Sequence, residues 1–277
     1  MLRDRQPKKS TIKKRIFRSL LIIGILYIST CVLLYFMQER LLFHPQKLAK
    51  SDTFSFDQPF EEKTILATDG KKLSGILFRV PKSKGLIFYL HGNSGSINSC
   101  GIVAETFTRL NYDVFMLDYR GYGKSEGSIT EEAQTHRDVQ SAYDEIRKSY
   151  PENKILVLGY SIGTGFAAKL ASVNHPKLLI LHAPYYNMTD LAHYKYPIIP
   201  SFILRYELKT NKYLKSCNMP VILFHGDRDK GIYPGSSLKL KKEFKAQDTL
   251  ILLKGVNHNG IIKSEEYQRL IPQLLSR

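Results

Sequence analysis

The residues best suited to chemistry are a serine, an aspartate and a histidine that lie in separate short motifs. Ser161 stands at the centre of a Gly-x-Ser-x-Gly pattern at residues 159–163, Asp229 follows an apolar run, and His258 lies in a polar loop near the end of the chain. A serine hydroxyl is a poor nucleophile unless a base removes its proton, and the base needs an acid to orient it. The three residues, in this order, predict a nucleophile, an orienting acid and a general base.

The context of Ser161 strengthens a pattern that is weak by itself. The motif follows an apolar strand predicted at Lys154–Leu158 and opens a helix predicted at Ser161–Val173. A sharp strand-to-helix turn lifts the serine side chain above the sheet, and small residues on either side let neighbouring backbone pass close by. The start of the helix also favours the negative charge that develops during nucleophilic attack.

The acid is predicted in the loop that follows the strand Val221–His225. Asp227 and Asp229 both lie in this loop, and Asp229 is favoured because the first aspartate more often caps the turn. The negative oxygen formed during acyl transfer needs two N–H donors. One is predicted from Ile162, the residue after the nucleophile, and the other from Asn93, with Ser94 as the alternative.

Short apolar strands alternate with helices along the chain, and this alternation predicts an α/β fold in which helices cover both faces of a mostly parallel sheet. An Asp69-Gly70 turn predicts an antiparallel hairpin at one edge. The predicted strands are Lys63–Thr68, Lys72–Val80, Gly85–Leu90, Asp113–Leu117, Lys154–Leu158, Leu178–His182, Val221–His225 and Thr249–Leu253. The predicted helices are Ile102–Leu110, Thr130–Lys148, Ser161–Val173, Ser236–Lys245 and Ser264–Ser276.

Taken together, these motifs resemble the membrane-anchored α/β-hydrolase-domain serine hydrolases, which are related to the eukaryotic abhydrolase-domain proteins with one N-terminal membrane helix. The resemblance covers roughly residues 40–277. Besides the three loops described above, it rests on Leu90–Asn93, Asp118–Gly127 and the juxtamembrane stretch Leu41–Pro45. It implies the α/β-hydrolase fold, with Ser161, Asp229 and His258 as the triad. Asp118 and Arg120 are expected to brace the loop beside the turn that contains Asn93.

An uncharged stretch from Ser19 to Met37 predicts a transmembrane helix. Nineteen helical residues span about 28 Å, close to the hydrocarbon thickness of a bilayer. A cleaved signal peptide and a buried core helix are the alternatives, but no small-residue cleavage site follows, and soluble helices are rarely apolar on all sides. Eight basic residues and one acidic residue in positions 1–18 place the N-terminus in the cytoplasm and the remainder on the non-cytoplasmic side.

The predicted organisation is therefore a basic cytoplasmic tail (1–18), a transmembrane helix (19–37), a connector (38–60) and a single catalytic domain (61–277). Of the formal net charge of +16, +7 lies in the 18 residues of that tail and +9 is spread over the other 259 residues; no nucleic-acid recognition motif accompanies it, so no nucleic-acid partner is expected. Spaced His/Cys clusters are missing from the sequence, and neither a metal nor another cofactor is expected. Cys100 and Cys217 could pair in an oxidising compartment, although two free thiols are favoured. The oligomeric state is left open.

The expected reaction is hydrolysis of a carboxylic ester or a thioester. Residues 184–217 are rich in tyrosine, isoleucine and proline, and they either pack over the sheet edge or line a pocket for an acyl chain supplied by the membrane. Two alternatives remain: a peptidase or amidase that uses the same triad, and a binding module of the same fold without catalysis. The retention of all three triad residues in order favours an enzyme.

Overall fold

The computed structural model describes residues 9–276, so the first eight residues of the predicted basic tail lie outside the described part. The N-terminal elements are α1 (Lys9–Phe36), α2 (Gln38–Leu42), β1 (His44–Pro45), β2 (Glu61–Leu66), β3 (Lys72–Phe78), β4 (Leu86–Leu90), β5 (Ser94–Gly95), α3 (Gly101–Thr108), β6 (Asp113–Leu117) and α4 (Glu132–Arg147). The remaining elements are β7 (Ile155–Tyr160), α5 (Gly163–Ser172), β8 (Leu178–His182), α6 (Met188–Lys195), α7 (Thr210–Lys215), β9 (Val221–Gly226), α8 (Gly235–Leu240), β10 (Thr249–Leu253) and α9 (Glu265–Leu275).

Within residues 9–276, eight strands form one sheet in the order β10-β9-β8-β7-β4-β6-β3-β2. The pairs from β10 to β6 are parallel, whereas β3 runs antiparallel to both β6 and β2. The predicted α/β fold with an antiparallel hairpin at one edge is confirmed. Because the carboxyl ends of the parallel strands lie along one edge, the loops after β4, β7, β9 and β10 meet there.

Both faces of the sheet are buried, which explains why its central strands are apolar without alternation. In β4, Leu86, Phe88 and Leu90 contribute to the core beneath α4 and α5, whereas Ile87 and Tyr89 contribute to the core beneath α3 and α9. Every residue of β4 is buried. This double-sided packing holds the loops at the strand ends on a rigid base.

Helix α1 is long, apolar and exposed. Its candidate membrane span, Ile12–Phe36, has 25 residues; the most apolar 18-residue window in it has a mean hydropathy of 2.3, and none of that window is buried against the remainder of the chain. An apolar helix that exposes its side chains all round is unfavourable in water and suits a lipid environment. The helix ends at Phe36, one residue before the end of the uncharged stretch predicted from the sequence.

Two segments for which the sequence predicted no helix or strand contain short helices and a short strand. The connector 38–60 includes α2 and β1, and residues 184–217, hereafter the cap segment, include α6 and α7. These helices have five, eight and six residues, and the strand has two. Elements this short do not repeat an apolar pattern often enough to be recognised from periodicity. They form because tertiary contacts hold them, as the burial of Gln38 and Phe43 shows for the connector.

Arg120 has a structural role in the loop that follows β6. Its guanidinium pairs with Asp138 on α4, at 2.5 and 2.8 Å, and with Asp69 in the hairpin turn, at 2.6 and 2.7 Å. These bonds tie the loop that contains Arg120 to α4 and to the hairpin, and neither partner belongs to the turn that contains Asn93. Asp118 does contact that region, because its Oδ1 accepts a hydrogen bond from the N–H of Ile97 at 2.9 Å.

Replacing Arg120 with alanine should lower the free energy of unfolding by about 3–5 kcal/mol, because the buried carboxylate of Asp138 would lose its partner. Chemical denaturation of the detergent-solubilised full chain measures this change. The matched control is Arg137→Ala, which removes an exposed pair with Glu131 and should cost less than about 1 kcal/mol. Equal losses in the two variants would contradict the assigned role of Arg120.

Candidate active site

The turn between β7 and α5 presents Ser161 in a strained conformation. Ser161 has φ of 53°, in the left-handed region that non-glycine residues seldom adopt. Its N–H donates to the carbonyl of His182 at 2.9 Å, and its carbonyl accepts from Thr164, which fixes both sides of the turn. The serine side chain is thereby directed to the carboxyl edge of the sheet, as the Gly-x-Ser-x-Gly motif predicts.

Two glycines make this turn sterically possible. A Cβ atom on Gly163 would lie 2.3 Å from the carbonyl oxygen of Leu90, and one on Gly159 would lie 2.6 Å from the carbonyl oxygen of Gly163. Both distances are far below van der Waals contact. The glycines therefore let β4, β7 and the start of α5 approach closely behind Ser161.

The structure brings Ser161, His258 and Asp229 into one hydrogen-bonded chain. The hydroxyl of Ser161 donates to Nε2 of His258 at 3.0 Å, and Nδ1 of His258 donates to Oδ2 of Asp229 at 2.7 Å. The three residues come from the loops after β7, β10 and β9, which are far apart in sequence. A carboxylate that accepts from Nδ1 leaves Nε2 free to take the serine proton.

Asp229 is held as an anion. Burial alone would raise the pKa of Asp229, but hydrogen bonds from His225 and His258 outweigh burial and keep that pKa below its usual value. Its other oxygen, Oδ1, accepts from the N–H groups of Gly231 and Ile232 at 2.7 and 2.9 Å. Asp227 is placed differently: it is exposed and accepts from the N–H of Gly255 at 2.7 Å. Of the two aspartates, Asp229 is the one that contacts His258.

The two predicted oxyanion donors line the same opening as Ser161. Asn93 and Ile162 both border a cavity together with Ser161 and His258. Within the described residues, neither backbone N–H donates to a protein acceptor, so both remain available to a ligand. The carbonyl of Asn93 accepts from the N–H of His44 at 2.8 Å and from the hydroxyl of Tyr122 at 2.7 Å, which secures the loop.

Two histidines near the triad have structural positions. His91 is buried and its Nδ1 donates to the carbonyl of Gly92 at 2.7 Å, while burial lowers the pKa of His91 to about 4. His225 is buried below Asp229, with its Nε2 lying 3.2 Å from Oδ2 of that carboxylate. Sequence reasoning did not assign His225 to the site. The sequence feature that could have identified His225 is its position at the end of an apolar strand, four residues before Asp229.

Tyr160 is another neighbour that sequence reasoning missed. Its ring packs against the imidazole of His258 with centroids 5.3 Å apart, and its hydroxyl donates to Oδ1 of Asn259 at 2.6 Å. Both contacts restrain the loop that carries the histidine. As an unspecified position of the Gly-x-Ser-x-Gly pattern, Tyr160 had no sequence signal of its own.

Two cavities meet at Ser161 and His258. The first has a volume of about 610 Å³ and is mainly apolar, with walls from the cap segment and from the end of α1 and α2. Its apolar lining includes Leu34, Leu41, Met188, Leu191, Ile199 and Ile203. The second has a volume of about 560 Å³ and a more polar wall that includes Ser94, Ser99, Asn259 and Lys263. A substrate could place an apolar part on one side of the serine and a polar part on the other.

The cap segment both packs over the sheet and lines the apolar cavity. Tyr185 and Tyr206 are buried in the core and also border the apolar cavity, so packing and lining are combined in the same side chains. Tyr194, Ile198 and Phe202 instead remain exposed.

The chain is similar in sequence to known proteins. The sequence profile of the Hydrolase_4 family, described as serine aminopeptidase S33, matches residues 81–211. The chain is 27% identical over 206 residues to alpha/beta hydrolase domain-containing protein 17C of Xenopus tropicalis, covering 71% of this chain and 63% of the relative. It is 29% identical over 192 residues to protein bem46 of Schizosaccharomyces pombe, covering 65% of this chain and 64% of the relative. The matched region thus spans less than two thirds of these relatives.

Among solved structures, the fold is similar to that of an esterase from Pyrococcus furiosus. The TM-score is 0.69 at 22% sequence identity, and the match covers 85% of this chain and 97% of the esterase. At this level of identity the similarity concerns the fold.

Proposed function

We propose that this chain, an α/β-hydrolase-domain protein by its motifs, fold and relatives, is a membrane-anchored serine hydrolase that cleaves carboxylic esters or thioesters of apolar acyl chains. The observation that carries the proposal is the hydrogen-bonded chain from Ser161 through His258 to Asp229, at 3.0 and 2.7 Å. Ser161 and His258 border a largely apolar cavity of about 610 Å³, which is large enough for an acyl chain.

In the proposed reaction, Oγ of Ser161 attacks the carbonyl carbon while Nε2 of His258 takes its proton. The N–H groups of Asn93 and Ile162 hold the resulting oxyanion, and Asp229 stabilises the imidazolium. Collapse of the intermediate expels an alcohol or a thiol, which receives the proton from His258. A water molecule, activated by the same histidine, then releases the acyl group from Ser161.

The walls of the cavities favour esters over the amide substrates of an aminopeptidase. An aminopeptidase must hold a substrate ammonium group, for which a carboxylate is the natural partner. Neither cavity has an acidic side chain among the described residues that line it, whereas Lys195 borders the apolar cavity and Lys263 borders the polar one. The proposed polar part of the substrate, the leaving group, lies in the second cavity.

Helix α1 is the proposed anchor. Its candidate span, Ile12–Phe36, has 25 residues and is long enough to cross the hydrocarbon layer of a bilayer. In the proposal the N-terminus is cytoplasmic and the catalytic domain lies on the opposite side, which the basic residues before the uncharged stretch Ser19–Met37 support. The end of this helix borders the apolar cavity through Leu34, so an acyl chain can reach Ser161 from the membrane surface.

Covalent labelling with fluorophosphonate probes tests the proposal. The wild-type chain in detergent micelles should be labelled, a long-chain alkyl probe should react faster than a short-chain one, and Ser161→Ala should remove the labelling. Ser172→Ala is the matched control, because its hydroxyl donates to the carbonyl of Lys169 within α5 and it should be labelled like the wild type. A folded wild-type protein that resists both probes would refute the assembled nucleophile and favour the non-catalytic binding module. If the long-chain and short-chain probes label Ser161 at equal rates, the nucleophile is supported but the proposed acyl-binding role of the apolar cavity is not.

A further inference from the structure

An uncharged loop of the cap segment carries the most exposed large apolar side chains among the described residues. Phe202 is 85% exposed and Ile198 is 77% exposed. The loop, residues 196–204 and hereafter the apolar loop, has no charged residue in nine positions. Such a surface is unfavourable in water and marks a contact with an apolar partner.

The apolar loop lies beside the proposed membrane helix. The hydroxyl of Tyr27 donates to the carbonyl of Ile198 at 2.7 Å. Tyr27 stands near the middle of the uncharged stretch Ser19–Met37, nine residues before the end of α1 and therefore about 14 Å along its axis. If α1 crosses the bilayer, this contact puts Ile198 below the membrane surface.

Polar contacts fix the loop in this place. Gln38 is buried at the start of α2, where its side chain donates to the carbonyl of Ile203 at 2.8 Å and accepts from the N–H of Arg205 at 2.8 Å. The next residue, Glu39, pairs with the Arg205 guanidinium at 2.8 Å. The end of the membrane helix and the end of the apolar loop are thus joined, so the depth of one determines the depth of the other.

The backbone of the loop satisfies part of its own hydrogen-bonding groups, which lowers the cost of placing it in lipid. Pro197 and Pro200 have no N–H group. Of the other seven amides, those of Tyr196, Ile199, Ile203 and Leu204 donate within the chain, whereas those of Ile198, Ser201 and Phe202 have no acceptor among the described residues. The contact between Tyr27 and Ile198 also satisfies a phenol and a carbonyl that would otherwise lie unpaired in hydrocarbon.

We infer that the apolar loop inserts into the hydrocarbon layer beside α1 and that its partner is the acyl chains of the lipid. Ile199 and Ile203 belong to this loop and also line the apolar cavity, so the inserted loop joins the cavity to the bilayer. An acyl chain can then pass from the membrane to Ser161 without crossing water. The inference rests on the proposed membrane span of α1.

Single tryptophans test the insertion, since the sequence contains no tryptophan and each substitution introduces a unique fluorophore. The full chain is reconstituted in phosphatidylcholine vesicles whose acyl chains are either unmodified or brominated near mid-chain. The loop reporters are Phe202→Trp and Ile198→Trp, at exposed positions where a larger ring can be accommodated. Ile28→Trp reports on the membrane helix. Val173→Trp is the exposed control at the end of α5, about 18 Å from Ser161 by helix length.

Brominated lipid should quench the two loop reporters and Ile28→Trp much more strongly than Val173→Trp, with emission shifted to shorter wavelength. Quenching of Ile28→Trp with loop reporters no more quenched than Val173→Trp would overturn the inserted loop and leave the anchor intact. If the loop reporters are shifted to shorter wavelength but not quenched, a protein surface covers the loop and the inference is also wrong. Absence of quenching at Ile28→Trp as well would refute both the span and the insertion.

Discussion

Replacing His258 with alanine should lower kcat for an acyl ester or thioester by about a millionfold, because in a triad the loss of the base alone costs nearly as much as the loss of all three residues. The Oγ of Ser161 lies 3.0 Å from Nε2 of His258, and no other side chain among the described residues forms a hydrogen bond with that hydroxyl. Without the imidazole, the serine proton has no acceptor. Steady-state hydrolysis of a long-chain acyl thioester by the full chain in micelles measures the effect.

The control for this variant is His175→Ala. His175 is exposed in the turn that precedes β8, so its removal should leave kcat and thermal stability unchanged. His258 is itself partly exposed, with a side-chain exposure of 24%, and its alanine variant should remain folded. If His258→Ala keeps more than a small fraction of the wild-type rate, the imidazole is not the base and the proposed mechanism fails.

Asp229→Asn should lower kcat by about ten-thousandfold. Asparagine has the shape of aspartate, and its oxygen can still accept the N–H groups of Gly231 and Ile232, so the loop should keep its conformation. Its NH₂ group cannot accept the Nδ1 proton of His258, however. The imidazole then prefers the tautomer that carries its proton on Nε2, which cannot take a proton from Ser161.

Asp227→Asn is the matched control for this change, and it also decides between the two aspartates that the sequence offered. Asp227 is exposed and bonded to the N–H of Gly255, so its asparagine variant should hydrolyse the acyl thioester at nearly the wild-type rate. Circular dichroism and thermal unfolding should show both variants folded. The reverse ranking of the two rates would assign the orienting role to Asp227.

The fold was predictable because the strongest local signals agree with the final packing. The strands Asp113–Leu117, Leu178–His182 and Thr249–Leu253 begin and end at the predicted residues. Each is a short apolar run bounded by polar residues, and a sheet covered on both faces requires that pattern. Helix bounds differ from prediction by a few residues, as for α4, which begins at Glu132 rather than at Thr130, because helix ends depend on local capping.

The cap segment and the connector were less predictable for a physical reason. Helices α2, α6 and α7 are too short to be stable alone or to show a period. They depend on contacts with partners distant in sequence, such as the bond between Gln38 and the carbonyl of Ile203, which joins residues 165 positions apart. Local sequence patterns contain no information about such a partner.

The order of the main strands and helices, the apolar helix near the N-terminus and the candidate residues Ser161, Asp229 and His258 could be read from the sequence, because they depend on local pattern and on motif. The contact of Asp229, rather than Asp227, with His258 and the pairing of Arg120 with Asp138 are visible only in three dimensions. The tertiary structure also placed the end of α1 in the wall of the cavity beside Ser161. These outcomes depend on the paths of loops between distant strands, and such paths follow from packing in three dimensions.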